Sequence, residues 1–397
     1  MKLYDNCIRA FVKGNLGDDL FIYTLCKRYP NQKFVICGEE KYKYLFNSIS
    51  NLKYIAEDSF FRKWLFRAVK LPAWAANKIC EKFKLNKCFR YYHSNTFVYE
   101  HSKNNILVSG SIFMELGEGF VMNPYYKGEI KYYAKHPYVM GCNFGPYKTK
   151  AYKAFYKKCF QGAAQVSFRD EYSYSLFKDL DNTSFAPDIL FNVDTEGVKA
   201  SKEKDYVLIS VLNPCKDDTT GGNKLVENYI EKMAEISDKL ISSGKKILFM
   251  GFCEFQGDGE IINRIIKKMK TIRKAKKTED ISSTTKNVKV VKYPEITVEE
   301  ALGYIKNSEF VIATRYHAMI LAEVFNRPVL PVVYNEKMVH VIEDITPSME
   351  YISINECEKW NSALIAENIL NGSNITYNIG ETVKKAEKHF ENLDKYL

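Results

Sequence analysis

Short apolar runs alternate with longer amphipathic stretches along most of the chain. Each run is four to six residues long, and several end in loops rich in glycine, asparagine or serine. Such an alternation predicts β-strands joined by helices, which together form parallel sheets with helices on both faces. The predicted strands are residues 33–37, 106–109, 138–142 and 165–168, followed by 206–211, 246–250, 288–291, 310–313 and 329–333.

The pattern stops at a polar stretch, residues 194–205, and then restarts. Because a chain of 397 residues is longer than one hydrophobic core usually supports, two domains are expected. We predict an α/β protein with two Rossmann-like, doubly wound domains, residues 1–195 and 205–375, that face a cleft. Ligands of such folds bind at the carboxyl ends of the strands. A C-terminal helix at about 381–396, within residues 376–397, is expected to pack back on the first domain.

The composition is that of a water-soluble globular protein, with 46% hydrophobic and 27% charged residues. No apolar run approaches the roughly 20 residues of a membrane-spanning helix, and residues 1–15 lack the apolar centre of a secretory signal. The ten cysteines are scattered without a Cys-x-x-Cys pair, which favours reduced thiols in the cytoplasm. No group of histidines, cysteines and carboxylates has metal-ligand spacing, so no metal is predicted.

Much of the net charge of +10 is concentrated in residues 62–90, where nine lysines and arginines accompany a single acid, Glu81. The same stretch holds Trp64 and Trp74 among other apolar side chains. Basic residues interleaved with aromatic ones are typical of a segment lying on an anionic membrane surface, which we predict for residues 61–92. The alternative is a pair of ordinary surface helices whose aromatic residues belong to the core. No nucleic-acid-binding motif accompanies the charge, so no nucleic-acid partner is predicted.

The sequence around Arg315 and His317 points most directly to chemistry. Both residues follow the predicted strand 310–313 and precede an apolar helix predicted at 316–325. Free backbone N–H groups at the start of a helix favour an anion, and an arginine adds a bidentate donor for carboxylate or phosphate. A histidine adds a group that carries or releases a proton near neutral pH. We predict an anion site with an acid or base beside it; the alternative is that both residues only cap the helix or hold the loop.

A glycine-containing sequence, GNLGDD, precedes an apolar helix predicted at residues 20–28. It is neither the dinucleotide-binding GxGxxG sequence nor a phosphate-binding P-loop. Its glycines allow the backbone to approach a ligand closely, so Asn15 and Gly17 are candidate substrate contacts. Asp18 is a candidate base or hydroxyl acceptor, while Asp19 is expected to cap the helix.

Arg169 follows another predicted strand and precedes another helix, as Arg315 does. A second arginine facing the same cleft would let two anionic groups of one ligand be held separately. The neighbouring Asp170 offers a structural alternative, because it could cap that helix or pair with Arg169. Further candidate substrate contacts in loops that follow strands are Asn143, Gly145 and Lys337.

These sequences resemble the ordered motifs of the polysaccharide pyruvyl transferase family. The matching stretches run from Gly14 to Lys337 and are GNLGDD, GCNFGP, SFRDEYSYSLFKDL, APDIL and TRYHAMILAEVFNRPVLPVVYNEK. The resemblance implies a two-domain fold similar to GT-B glycosyltransferases. It also implies transfer of a pyruvyl group from phosphoenolpyruvate to a sugar, as a ketal, during assembly of a cell-surface polysaccharide. The loop Gly110-Ser111-Ile112 departs from the glycine pair or triple usual in the family.

Within that reaction the candidate residues take specific roles. Arg315 and Arg169 are expected to hold the carboxylate and the phosphate of phosphoenolpyruvate, and His317 is expected to protonate its methylene carbon. Asp18 is expected to deprotonate or orient the attacking sugar hydroxyl. The first domain is expected to bind the acceptor and the second phosphoenolpyruvate, which is a co-substrate, with no other cofactor.

The expected acceptor is a lipid-linked or nascent polysaccharide, which places the enzyme in the cytoplasm at the inner face of the cell membrane. One alternative function is that of a GT-B glycosyltransferase with a nucleotide-sugar donor. Another is a catalytically inert glycan- or membrane-binding scaffold of the same fold. The sequence predicts neither a particular acceptor sugar nor an oligomeric state.

Overall fold

The structure, a computed structural model, describes residues 3–56, 98–115, 117, 119–122, 124–214, 222–277, 286–372 and 377–397. The predicted membrane-surface segment, residues 61–92, lies outside the described residues. None of the described helices combines the length and the apolar character needed to cross a bilayer.

The first half of the chain forms a seven-stranded sheet in which all neighbouring strands are parallel. The strands are β1 Tyr4–Arg9, β2 Phe34–Gly38, β3 Leu52–Ala56, β4 Ser102–Val108, β5 Tyr138–Cys142, β6 Gln165–Phe168 and β7 Thr183–Phe185. Their spatial order is β3-β2-β1-β4-β5-β6-β7. The order reverses between β1 and β4, and this reversal creates a crevice at the carboxyl ends of those two strands.

The second half repeats the same arrangement with six parallel strands. The strands are β8 Tyr206–Ser210, β9 Lys246–Gly251, β10 Val288–Lys292, β11 Phe310–Ala313, β12 Val329–Val333 and β13 Ile352–Ser353. Their order is β10-β9-β8-β11-β12-β13, so the reversal lies between β8 and β11. The protein is an α/β protein built from two Rossmann-like, doubly wound units, as the sequence predicts.

Helices connect the strands in both halves. They are α1 Leu16–Arg28, α2 Pro124–Tyr133, α3 Lys150–Gln161, α4 Glu171–Ser175, α5 Gly222–Ser242, α6 Asp258–Lys268, α7 Lys270–Lys277, α8 Val298–Lys306, α9 Tyr316–Val324, α10 Glu336–Ile345, α11 Ser362–Asn371 and α12 Gly380–Ala386. Short 3₁₀ turns lie at Glu40–Phe46, Ile189–Asn192, Ile354–Lys359 and Glu387–His389.

The helices α1 and α9 share one hydrophobic core, although they belong to different halves. Phe21 of α1, Leu190 of the 3₁₀ turn and Ile320 of α9 all lie in the same buried cluster. Because α9 is apolar on nearly every side, it is enclosed by both halves, and its N-terminal end reaches the polar groups of the first half. This packing brings the start of α9 against the carboxyl edge of the first sheet.

The helix α1 begins at Leu16, four residues before the predicted start. Asn15 is its N-cap, because the Asn15 side chain accepts a hydrogen bond from the Gly17 backbone N–H at 3.1 Å. The expectation that Asp19 caps this helix is therefore wrong. Asp19 lies in the first turn, and one of its carboxylate oxygens accepts a hydrogen bond from the Tyr293 hydroxyl of the other half at 2.6 Å.

The C-terminal residues return to the first half of the molecule. In place of one helix at about 381–396, the chain forms α12 and then the 3₁₀ turn Glu387–His389. Gln165 of β6 donates to the His389 carbonyl at 3.0 Å. The ring of His389 lies 2.7 Å from the Ser167 hydroxyl and 2.6 Å from the Pro187 carbonyl. The C-terminal segment is thus packed against β6 and the residues that follow β7.

Candidate functional site

Four charged or titratable side chains meet where the first sheet faces the start of α9. We call Asp18, Arg169, Asp188 and His317 the Arg169 cluster. Asp18 comes from the first turn of α1, Arg169 follows β6, and Asp188 precedes the 3₁₀ turn Ile189–Asn192. His317 comes from the second half, in the first turn of α9. The cluster therefore requires both halves of the chain.

Arg169 is the centre of this cluster and is almost fully buried. Its Nη1 donates to Asp188 Oδ2 at 2.9 Å, and its Nη2 donates to Asn143 Oδ1 at 3.1 Å. Its guanidinium carbon also lies 4.5 Å from the centre of the Tyr316 ring, in a cation–π contact. A side chain at Gly110 would place its Cβ only 2.7 Å from Nη2, so the loop after β4 needs glycine there to admit the guanidinium.

His317 contacts the same arginine through its Nε2 atom, 3.3 Å from Arg169 Nη1. Because a guanidinium only donates hydrogen bonds, Nε2 is the acceptor and the neutral ring carries its proton on Nδ1. Asp188 Oδ2 lies 3.9 Å from the same Nε2. Burial lowers the pKa of His317 to about 4; the negative Asp188 opposes this shift, while Arg169 and Arg315 add to it. The imidazole is therefore neutral at pH 7.

Asp18 shows the opposite shift. Burial raises its pKa to about 7, and Asp188 adds to the shift, while Arg169 and the Gly110 backbone N–H oppose it. At neutral pH a large share of Asp18 therefore carries a proton. In this arrangement the carboxyl group is the better proton donor and the imidazole the better acceptor. The roles expected from the sequence, His317 as acid and Asp18 as base, stay predictions.

Arg315 lies at the N-cap position of α9 but is turned toward its own half. Its Nε donates to Asp258 Oδ2 at 3.1 Å, its Nη2 donates to Asp258 Oδ1, and its Nη1 donates to Gln256 Oε1 at 2.6 Å. Asp258 is fully buried and also accepts from the backbone N–H groups of Phe252 and Cys253. Arg315 thus holds the loop that follows β9, and its ligand-binding role stays a prediction.

A pocket opens beside the Arg169 cluster, between the two halves. Residues of the first half and residues around the start of α10 line it together: Ser111, Asn143, Arg169, Asp170, Tyr316, Tyr334, Asn335, Lys337 and Val341. Asn335 caps α10 through its hydrogen bond from the Met338 backbone N–H, and Lys337 lies in the first turn. Two cationic side chains, Arg169 and Lys337, therefore share one pocket at the start of a helix, a combination suited to an anionic ligand.

The remaining predicted contacts have structural roles in this arrangement. A Cβ at Gly17 would lie 1.8 Å from His317 Nδ1, so the absence of a side chain lets α1 pack directly on the imidazole. Asn15 caps α1, and Gly145 adopts a positive φ of 112°. Asp170 caps α4 by accepting from the Ser173 backbone N–H at 2.7 Å, which is one of the alternatives that the sequence left open.

Asp188 is the residue of the cluster that sequence reasoning missed. It is fully buried, with Arg169 on one carboxylate oxygen and the Leu190 backbone N–H on the other. The signal in the sequence was its position in APDIL, a stretch that resembles a family motif and begins directly after β7. Its role was hidden because its partners are 19 and 129 positions away in the chain.

The described residues contain no group of three or more histidines, cysteines and carboxylates placed to hold a metal ion. Their seven cysteines are free and buried: Cys7, Cys26, Cys37, Cys142, Cys159, Cys253 and Cys357. Burial raises the pKa of Cys253, the one nearest the Arg315–Asp258 pair, to about 11, so this thiol is not an activated nucleophile.

The fold defines the class of protein first. UDP-GlcNAc 2-epimerase from Methanocaldococcus jannaschii has a similar structure, with a TM-score of 0.51 at 12% identity over 100% of both chains. UDP-N-acetylglucosamine 2-epimerase from Rickettsia bellii gives a TM-score of 0.51 at 11% identity, over 100% of this chain and 97% of that one. At such low identity the similarity shows the fold alone, two Rossmann-like domains of the GT-B type facing a cleft.

The family follows from the sequence. Residues 7–336 match the family described as polysaccharide pyruvyl transferase. Because the match spans most of the chain, this protein belongs to that family, as the sequence motifs predicted, and is a transferase. The sequence has no match among curated proteins.

Proposed function

We propose that the protein transfers a pyruvyl group from phosphoenolpyruvate to a sugar as a ketal, in the synthesis of a cell-surface polysaccharide. The observation that carries the proposal is the Arg169 cluster beside a pocket that also contains Lys337. Phosphoenolpyruvate bears a carboxylate and a phosphate on one small carbon skeleton. Two separated cationic side chains next to two proton-carrying groups match that combination of charges and chemistry.

The reaction needs one proton added and two removed. Protonation of the methylene carbon makes the central carbon electrophilic, and the first sugar hydroxyl attacks that carbon and loses its proton. The bond from this carbon to the phosphate oxygen then breaks, phosphate leaves, and the second hydroxyl closes the ketal and loses its proton. One of the two hydroxyl protons is thus balanced by the new methyl hydrogen, and the other leaves with phosphate or solvent.

We assign the proton on the methylene carbon to His317, with Asp18 as the base toward the sugar hydroxyl. The surroundings of His317 favour the neutral ring, but an anionic ligand beside it stabilises the charged imidazole and so raises its pKa. Loss of the sugar proton to Asp18 similarly requires the ionised carboxylate, which Arg169 stabilises. Arg169 and Lys337 are assigned to the two anionic groups of the donor, and Arg315 is assigned to keeping the start of α9 in place.

A thermal-shift comparison tests the donor. Phosphoenolpyruvate should raise the melting temperature, since a ligand at a hundredfold excess over its Kd stabilises by about 2.7 kcal/mol. Nucleotide sugars and nucleoside diphosphates should leave it unchanged. Stabilisation by nucleotide sugars alone would instead support a glycosyltransferase of the same fold.

The substitution His317→Ala tests the proton donor. Turnover should fall by about 10²–10⁴-fold, because a well-placed acid supplies a factor of that size. Phosphate release from phosphoenolpyruvate in the presence of acceptor glycans measures the rate, and circular dichroism checks that the variant folds. Wild-type turnover in His317→Ala would remove the imidazole from the mechanism.

We further propose that the acceptor is a lipid-linked or nascent polysaccharide, reached at the inner membrane face through residues 62–90. The support is the excess of nine basic residues over one acid, interleaved with aromatic side chains. Deletion of residues 62–90 should abolish binding to anionic liposomes and leave phosphoenolpyruvate binding intact. Unchanged liposome binding after the deletion would contradict this part of the proposal.

A further inference from the structure

The buried carboxylate of Asp188 connects the two side chains that the proposed reaction depends on most. One carboxylate oxygen, Oδ2, lies 2.9 Å from Arg169 Nη1 and 3.9 Å from His317 Nε2. Those two nitrogen atoms are 3.3 Å apart, so the three groups form a closed triangle. Arg169 and Asp188 come from the first half and His317 from the second, so the triangle also joins the halves.

Asp188 is itself held firmly in place. Its other oxygen, Oδ1, accepts from the Leu190 backbone N–H at 2.9 Å and so caps the following 3₁₀ turn. The preceding carbonyl, that of Pro187, lies 2.6 Å from His389 Nε2, and His389 Nδ1 lies 2.7 Å from the Ser167 hydroxyl. The C-terminal segment therefore fixes the backbone directly before Asp188.

We propose that Asp188 is a positioning residue: its carboxylate fixes Arg169 and His317 against each other, and its negative charge lets the imidazole hold a proton once substrate is bound. The side chain of Asp188 is fully buried, whereas those of Arg169 and His317 keep some exposed surface, so Asp188 acts through these two neighbours and not by contact with substrate. The inference rests on the proposed function for the identity of the ligand, but the charge effect on His317 is a property of the protein alone.

The charges around His317 determine what the loss of Asp188 would do. Arg169 from the end of β6 and Arg315 from the start of α9 both disfavour a charged imidazole. Asp188 favours it, and the aromatic rings of Phe21 and Tyr316 that pack on the imidazole carry no charge. Asp18, from α1, shares the cluster and is partly protonated. Without the carboxylate of Asp188, the two arginines would keep the imidazole neutral.

Removal of the charge alone is achieved by Asp188→Asn, whose amide keeps the shape of the side chain. The control for the loss of a buried carboxyl group outside the cluster is Glu323→Gln, because Glu323 lies on the same helix as His317 and bonds the Thr346 hydroxyl instead. Both variants are first checked for folding by circular dichroism. If Asp188→Asn does not fold, Asp188→Glu keeps the charge but displaces it, and it should keep proton uptake while weakening ligand binding.

Calorimetric titration with phosphoenolpyruvate, in buffers of different ionisation enthalpy, measures the protons taken up on binding. The wild type and Glu323→Gln should take up about one proton more per ligand than Asp188→Asn near neutral pH. The affinity of Asp188→Asn should stay within about threefold of the wild type, since removal of a negative charge does not disfavour an anion. Equal proton uptake in all three proteins would overturn the positioning role. So would a large loss of phosphoenolpyruvate affinity in Asp188→Asn that accompanies the loss of proton uptake.

A measurement without ligand separates this inference from the proposed function. In the wild type, the ring of His317 should titrate near pH 4, which ¹⁵N NMR can follow. The spectrum of His317→Gln identifies the signals of this ring. In Asp188→Asn its pKa should fall further, by about 1–3 units for a charge at this distance. An unmoved titration would refute the role of Asp188. Failure of the wild type to bind phosphoenolpyruvate, with the titration shifted, would refute only the donor.

Discussion

Two buried arginine–aspartate pairs lie near the start of α9, and they differ in what else their arginines contact. Arg315 donates to both oxygens of Asp258 and to Gln256, and all three residues belong to the second half. Arg169 donates to Asp188 through one nitrogen only, Nη1. Its Nη2 donates to Asn143 and Ser111, which line the pocket. The same pair of residue types therefore forms an anchor in one place and a candidate ligand site in the other.

The difference shows that an arginine after a strand does not by itself identify an anion site. Both arginines follow strands, precede helices and are almost fully buried. What distinguishes them is where the partners of the guanidinium lie. Asp258 binds Arg315 in the bidentate geometry that best neutralises a guanidinium, whereas Asp188 shares its oxygen between Arg169 and His317.

The largest effect is expected when the anchor is broken. Arg315→Ala should destabilise the protein by about 3–5 kcal/mol, because it leaves the fully buried Asp258 without its counter-charge. The control Arg264→Ala removes the exposed pair with Glu227 and should cost no more than about 1 kcal/mol. Urea unfolding measures both. Equal, small losses would mean that Arg315 is not an anchor and would make it a ligand-binding candidate again.

A third buried carboxylate sharpens the comparison because its partner is not an arginine. Glu323, on α9, accepts a hydrogen bond from the Thr346 hydroxyl at 2.8 Å, and burial raises its pKa to about 7. For Asp188, burial also acts to raise the pKa, but Arg169 and His317 outweigh it and hold the pKa below its ordinary value. A direct ion pair with Arg169 thus keeps Asp188 ionised, whereas Asp18, which faces the same arginine without such a pair, and Glu323 both have raised pKa values.

The shift of Glu323 predicts a pH dependence of stability. The folded protein keeps a proton on Glu323 that the unfolded chain releases above the ordinary glutamate pKa of 4.5, so the free energy of unfolding should fall as pH rises from 4.5 to about 7. A shift of this size corresponds to at most about 3 kcal/mol. Glu323→Gln should be more stable than the wild type above neutral pH and lose this part of the pH dependence. Parallel stability curves for the two proteins, measured by denaturant titration, would contradict the assignment.

The sequence predicted the elements whose signal is local. The strands β5, β6, β11 and β12 have the predicted bounds, because each is a short segment of four or five residues that is almost entirely buried. The capping box that Thr297 and Glu300 form at the start of α8 is a signal of the same local kind, because the pattern spans only four residues. Strands β3, β7 and β13, which lie at sheet edges and are only partly buried, were not predicted. The central strand β1 was not predicted either, because Asp5, Asn6 and Arg9 interrupt its apolar pattern.

The contacts that define the site were harder to predict because their partners are distant in the chain. Arg315 pairs with Asp258, which is 57 positions away, and no residue pattern near Arg315 indicates this partner. His317 was predicted as a site residue, but its contact with Arg169 spans 148 positions. The start of α1 was misplaced because Gly17 is a poor helix former, and its lack of a side chain serves the packing on His317.

Gly17→Ala tests that packing directly. Its new Cβ would lie 1.8 Å from His317 Nδ1, so the imidazole or α1 must shift, at a cost of about 1–3 kcal/mol. The displaced imidazole should also lose its contact with Arg169, and turnover should fall. Gly128→Ala is the matched control, since a Cβ there meets nothing within 4 Å and alanine favours the helix α2. If both variants behave alike, α1 does not hold the imidazole in place.

The smallest expected effects come from two serines that contact the two arginine regions. Ser210 accepts from the Arg315 backbone N–H at 3.2 Å, whereas the Ser111 hydroxyl lies 3.0 Å from Asn143 Oδ1 and 3.5 Å from Arg169 Nη2. Ser210→Ala should cost about 1 kcal/mol of stability, the usual value of one hydrogen bond, and leave ligand affinity unchanged. Ser111 is exposed at the pocket, so Ser111→Ala should leave stability nearly unchanged and weaken phosphoenolpyruvate binding by a few-fold. Urea unfolding and calorimetry on both variants separate the two outcomes. Loss of a hydroxyl that borders a ligand pocket should change the affinity for the ligand. If both substitutions lower stability and neither changes phosphoenolpyruvate affinity, the Arg169 region is therefore as closed to ligands as the Arg315 region.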